Sequence, residues 1–239
     1  MALNISINEE YFKSDNIEHG RLIKKFFLSL TDNVFNQSWV FYQEYKQITK
    51  ESFLPLLEKE RNLYSLFAAA INTITPIHLS ECSFNKSEID IDKARRVDFW
   101  CLNKNAADGK SINYFIEIKK GYYCLSNNTK EQFVSMLESN IDDLVAQVHG
   151  LKEIKPDWYG DDDVYFGLIV IHGYHAESKE AGFDERQIID NVYSLIDGRL
   201  GAQLLMTTWT VPEELDVQWK KDKCKFVSIV GIAISKKRI

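Results

Sequence analysis

Two apolar runs, Val164 to Ile171 (VYFGLIVI) and Phe226 to Ile234 (FVSIVGIAI), constrain what this chain can fold into. Each falls well short of the ~18 residues that cross a bilayer, so neither is a membrane span. The first, eight residues rich in β-branched and aromatic side chains, predicts a strand buried on both faces. The second is expected to extend the same sheet. A sheet of this kind needs helices against it, so the expected class is α/β, with a central mixed sheet flanked by helices.

The rest of the chain supplies those helices. Residues 21–47 place Leu22, Phe26, Phe27 and Leu30 at helical spacing, followed by the aromatic group Trp39, Phe41, Tyr42 and Tyr45. Residues 1–50 read as a helical extension packed on a single globular unit, 51–239. Its aromatics lack interleaved basic residues, so they read as core or dimer contacts rather than as a base-stacking platform. Residues 54–72 predict an amphipathic helix on Leu63, Phe67, Ala70 and Ile71, ending near Thr75-Pro76. Three strand-like segments, 77–84, 95–103 and 112–123, should form one antiparallel meander. A helical stripe over 130–154 leads to the strand at 164–171, then a helix near 184–199, a strand near 203–209 and the final apolar strand.

Charge excludes some functions. With 29 Lys plus Arg against 35 Asp plus Glu, the net charge of -6 argues against a protein that coats nucleic acid over its whole surface, while leaving room for a local basic site. Cys82, Cys101, Cys124 and Cys224 are far apart and form no CxxC pair, so buried, reduced thiols are expected. The start MALNISINEE lacks a basic-then-apolar leader, and a cytoplasmic location is the expectation.

Against this background, charges inside strands need a reason. Asp98 lies mid-strand, and Glu117 and Lys119 lie two apart near the end of the next strand, so both leave one face while Ile118 points into a core. A two-residue hairpin turn at Asp108-Gly109 would set Asp98 opposite Lys119 and Glu117 opposite Trp100, making the two acids diagonal neighbours. Two carboxylates about 5 Å apart repel by roughly 3 kcal/mol at an effective dielectric near 20, and a shared cation removes that cost. Hard oxygen ligands without Cys or His suit Mg²⁺ or Mn²⁺. Lys119 would then add positive charge beside the metal, an arrangement suited to phosphoryl chemistry.

Asp98 followed eighteen residues later by Glu117-Ile118-Lys119 resembles the D…(D/E)xK signature of the PD-(D/E)XK, restriction-endonuclease-like superfamily. The element order resembles its αβββαβ core over residues 54–172, although Val97 stands where many members have Pro. The resemblance implies a metal-dependent nuclease hydrolysing phosphodiester bonds, DNA favoured over RNA, in DNA maintenance or defence against foreign DNA. It implies that Asp98, Glu117 and the backbone carbonyl of Ile118 hold the metal, with Lys119 assisting catalysis. Such nucleases carry a Glu on the first core helix; of Glu58 and Glu60, helix phase puts Glu60 on the inward stripe with Phe67 and Ile71. Gln147, beside the stripe of the next helix, matches the polar residue often offered there. Arg95, Arg96 and Lys120 are candidates for the phosphate backbone.

Other signals are weaker. His172 and His175 close a strand, where residues three apart face opposite ways, so a zinc site is not expected. Asp161, Asp162 and Asp163 read as a solvated acidic run, and Lys220, Lys221, Lys223 and Lys225 as the polar start of a strand. The aromatic extension and the apolar last strand make a homodimer reasonable, and cores of this type often take specificity from a protein partner. The alternative function is a catalytically inactive nuclease-fold module that binds nucleic acid or protein.

Overall fold

The computed structural model describes residues 5–6, 13–14, 19–84, 95–104, 109–124, 130–152, 160–176, 185–196, 202–212, 215, 218–219 and 222–237. In chain order these form β1 (Ile5–Ser6), β2 (Lys13–Ser14), α1 (Gly20–Thr49), a 3-10 turn (Pro55–Leu57), α2 (Glu60–Ile74), β3 (His78–Phe84), β4 (Arg95–Lys104) and β5 (Ser111–Cys124). There follow α3 (Lys130–Lys152), β6 (Asp162–Ala176), α4 (Glu185–Ile196), β7 (Gln203–Thr210), β8 (Gln218–Trp219) and β9 (Asp222–Lys237). The class is α/β. Among the described residues no helix is long and apolar enough to cross a membrane.

One mixed sheet organises the molecule, in the order β1-β7-β9-β6-β5-β4-β3, with β2 on β7 and β8 on β9. The expected meander is there: β3 pairs β4 and β4 pairs β5, both antiparallel. α3 then carries the chain across to β6, which runs parallel to β5 over thirteen residue pairs from Ile112–Asp162 to Cys124–Tyr174. β6 and β9, the two apolar runs, pair antiparallel at the centre of the sheet, buried from Val164 to Tyr174 and from Phe226 to Ile234.

The two faces carry different helices. Side chains of β5 alternate, so Ile112, Tyr114, Ile116 and Ile118 join the core under α1 and α2, while Phe115 joins the core under α3 and α4. α1 buries Ile23, Phe26, Phe27, Leu30 and Val34 along one stripe. Phe26 stacks on Tyr114 with ring centroids 3.9 Å apart, and Phe27 stacks on Phe166 at 5.8 Å. The N-terminal helix is therefore a wall of the main core. Trp39 lies edge-on to Trp209 and stacked on Tyr42, as a core reading of those aromatics requires, although Phe41 remains 43% exposed.

The helix expected from residue 54 begins later. Pro55–Leu57 form a separate 3-10 turn, and the α-helix starts only at Glu60. Extended backbone at Glu58 and Lys59 separates the two, so a helical phase taken through Glu58 has no structural meaning there.

The acidic run before β6 is also not solvated throughout. Asp162 and Asp163 are buried. Asp162 Oδ2 lies 2.9 Å from His19 Nε2 at the start of α1, and Asp163 Oδ1 accepts from Asn113 Nδ2 at 2.8 Å. Asp161 is exposed and accepts from both the backbone and hydroxyl of Ser111, which hold its carboxyl below the usual carboxylate range. The run pins the start of β6 to β5 and α1.

Candidate active site

The site lies where the β4–β5 ladder ends. Its pairs run from Lys104–Ser111 to Phe99–Ile116, and carried one residue further this register sets Asp98 across from Glu117 rather than Lys119. The cause is the connection: Lys104 pairs with Ser111, and Gly109 and Lys110 lie outside the strands, a register that a two-residue turn at Asp108-Gly109 does not give. Gly109 has φ 73, the left-handed conformation that glycine adopts at little cost, and Asp108 lies outside the described residues. The offset is two residues: Glu117 keeps the parity of Phe115, while at Asp98 the alternation of β4 breaks, Val97 and Trp100 joining the core under α3 and α4 and Phe99 the core under α1 and α2.

Beyond Phe99–Ile116, the Asp98 carboxylate takes the place of a main-chain partner. Its Oδ2 accepts from the Ile118 amide at 2.7 Å, and its Oδ1 accepts a short hydrogen bond from the Tyr64 hydroxyl on α2. Burial raises the Asp98 carboxyl above its ordinary value against the opposing pull of these two donors. Glu117 is 6% exposed, and Lys119 Nζ donates to its Oε1 at 3.3 Å. Its Oε2 is buried with no hydrogen-bond partner. Burial first, and the neighbouring Asp98 charge second, push the Glu117 carboxyl up to about 7. A buried carboxylate oxygen without a hydrogen-bond partner is costly, and a cation is one kind of group that would satisfy it.

α2 reaches the same place. Glu60 is its first residue, and the charges of Lys119 and Asp98 both bear on its carboxyl, which burial raises. Tyr64 follows one turn later, on the same side of the helix. The structure thus brings Asp98, Glu117 and Lys119 together, sets Glu60 near enough for the charges of Asp98 and Lys119 to act on it, and adds Tyr64, which the sequence reading missed. Its signal was its position four residues after Glu60. A second missed residue is Glu81. It stands across from Asp98, between the pairs Ser80–Phe99 and Cys82–Val97, with a left-handed φ of 50 that costs a non-glycine residue about 1–2 kcal/mol. Its charge also bears on Asp98.

Other candidates are placed differently. Gln147 lies on α3 with its Oε1 buried and unpartnered, and among the described residues no hydrogen bond ties it to Asp98 or Glu117. Lys120 points to the opposite face from Lys119. Its ammonium donates to the carbonyls of Leu57 (2.8 Å) and Glu58 and lies 4.8 Å from the Tyr122 ring centroid, so it braces the turn before α2 instead of meeting a phosphate. Burial lowers its pKa to about 8. Arg96 is exposed on β4, and the side chain of Arg95 lies outside the described residues. His172 is fully buried between the rings of Tyr122 and Tyr174, and burial holds its imidazole far below its usual pKa. The side chain of His175, together with Lys220 and Lys221, lies outside the described residues. Cys82, Cys101 and Cys224 are buried free thiols, and Cys124 is another side chain outside them.

No protein-family profile, curated protein or solved structure matches this chain. The functional reading therefore rests on the donor set. Among the described residues no three of His, Cys, Asp and Glu gather into a ready cage. The two opposed carboxylates fit a cation that keeps several waters, as Mg²⁺ does when one or two carboxylates hold it. Neither cysteine nor histidine enters this set.

Proposed function

We propose that this protein is a Mg²⁺- or Mn²⁺-dependent nuclease hydrolysing phosphodiester bonds, with DNA favoured over RNA. The carrying observation is the buried, unpartnered Oε2 of Glu117, set across from Asp98 and beside the Lys119 ammonium. The order α2, β3, β4, β5, α3, β6, with β5 parallel to β6, supports the resemblance to the PD-(D/E)XK superfamily. Asp98, Glu117 and the Ile118 carbonyl would hold the cation, with Glu60 supporting it directly or through water. When bound, the cation supplies positive charge against the charge that builds on the phosphate. Lys119 orients the attacking water and adds a second positive charge at the same place.

Purified protein with Mg²⁺ or Mn²⁺ should nick plasmid or degrade oligonucleotides. Asp98→Ala and Lys119→Ala should each abolish cleavage while a cooperative thermal melt shows the fold retained, each at a cost of about 1–3 kcal/mol for the mostly buried contact it loses. Undiminished cleavage by Lys119→Ala overturns the assignment. The inactive-module reading draws on the net charge of -6 and on the inward turn of Lys120. It prevails if calorimetry finds no Mn²⁺ binding that Glu117→Ala removes.

A further inference from the structure

We infer that Tyr64 is a positioning residue for the cation site, holding Asp98 in the orientation from which it can ligate. The inference rests on the metal-site reading above and deepens it. The two strand carboxylates are prepared differently. Glu117 keeps an oxygen without a partner, whereas each Asp98 oxygen already has one donor, the Tyr64 hydroxyl on Oδ1 and the Ile118 amide on Oδ2. The amide belongs to the residue between Glu117 and Lys119, so one donor ties Asp98 to its partner strand. The other ties it to α2, the helix that brings Glu60.

The two donors occupy two of the roughly four acceptor positions of a carboxylate, and the remaining lone pairs stay free for a cation. A carboxylate torsion is otherwise broad, so without Tyr64 the Asp98 side chain keeps only one fixed contact. Tyrosine suits this task. Its hydroxyl can give a hydrogen bond to Oδ1 without bringing a charge that would compete with the cation. Its ring is held edge-on against Phe99, the residue next to Asp98, at 5.6 Å between centroids. The hydroxyl therefore has a fixed origin in the core.

The test is Mn²⁺ binding, read from the electron paramagnetic resonance signal of free Mn²⁺ at one pH, for wild type, Tyr64→Phe and Asp98→Asn. Tyr64→Phe keeps the ring on Phe99 and removes only the donor. Loss of a hydrogen bond that orients a metal ligand costs about 10–100-fold in affinity, so the dissociation constant should rise about tenfold or more. The metal-free thermal midpoint should stay close to that of wild type, which a purely structural tyrosine would not allow alongside lost affinity. A smaller rise for Tyr64→Phe, with Asp98→Asn unable to bind, overturns the inference and leaves the metal site standing. Retained Mn²⁺ binding by Asp98→Asn overturns the site reading and this inference with it. Should Tyr64→Phe fail to fold, Tyr64→Met, which keeps an adaptable apolar side chain with no donor, replaces it under the same criterion.

Discussion

Replacing Glu117 with glutamine should make the metal-free protein more stable at pH 8 and leave it nearly unchanged at pH 5. The magnitude follows from the surroundings of the carboxyl. Burial and the Asp98 charge raise it from 4.5 to about 7. Each tenfold change in proton affinity is about 1.4 kcal/mol, so ionised Glu117 costs the folded state about 3 kcal/mol at pH 8. The sign is that of an acid whose folded-state pKa is raised. Its contribution is fully present below 4.5 and is lost as the pH climbs through about 7. Glutamine carries no charge to desolvate, but its amide is imperfectly bonded in this pocket, which returns about 1–2 kcal/mol; the Lys119 attraction is already contained in the net rise to about 7. The expected net gain at pH 8 is about 1–2 kcal/mol. For a chain of this length that is a midpoint rise of roughly 2–8 °C. Scanning calorimetry of both proteins in chelator at pH 5, 6, 7 and 8 reads the effect. A variant no more stable than wild type at pH 8, or a gain of the same size at every pH, would show that the buried charge is not what this reasoning takes it to be.

Three further outcomes follow from the same geometry. Mn²⁺ at one hundred times its dissociation constant should raise the unfolding free energy of wild type by about 2.7 kcal/mol, and Glu117→Gln should lose that response, both read by thermal melts. Lys120→Met strands the carbonyls of Leu57 and Glu58 and should cost about 1–3 kcal/mol in urea melts; a smaller loss would show that the brace on the turn before α2 is dispensable. Gly173→Ala puts a Cβ 1.8 Å from the Phe226 ring, so the overpacked β6–β9 contact should cost about 1–3 kcal/mol or more, and an unchanged midpoint would mean that the ring moves freely.

The architecture and the site were legible to different depths. Periodicity found the long elements described, because apolar spacing reports which face is buried, and with them the meander and the order along the chain; the place of β9 between β6 and β7 was not legible from it. It also brought out Asp98, Glu117 and Lys119, since charges inside strands stand against the usual composition. The register of β4 on β5 was not legible, because an Asp-Gly dipeptide signals a two-residue turn and Lys104 opposite Ser111 is a register that such a turn does not give. Asp98 still meets the Glu117 strand because its carboxylate takes the Ile118 amide. Tyr64 escaped notice because an aromatic on an amphipathic helix reads as core, and its hydroxyl acquires a role only once α2 lies against β4. Lys120 was misread for a related reason: in sequence a lysine beside Lys119 looks like part of a basic patch, whereas strand alternation sends it to the other face, where two carbonyls await it. The acidic run at 161–163 reads as solvent-facing until its partners His19, Ser111 and Asn113, all distant in sequence, are in place.

The central position of β9 makes assembly of the molecule depend on residues that never approach the chemistry. Everything that would bind or cleave lies between Glu60 and Lys119, yet β6 exposes a long apolar edge until residues 222–237 add to it, and until then β7 has only the two-residue strands β1 and β2 beside it in the sheet. Until then the part of the chain that carries the proposed site cannot close, and a sticky strand edge is open to neighbouring nascent chains. Frameshifts or proteolytic clips near residue 220 should consequently yield insoluble, inert protein with every proposed active-site residue still in its sequence.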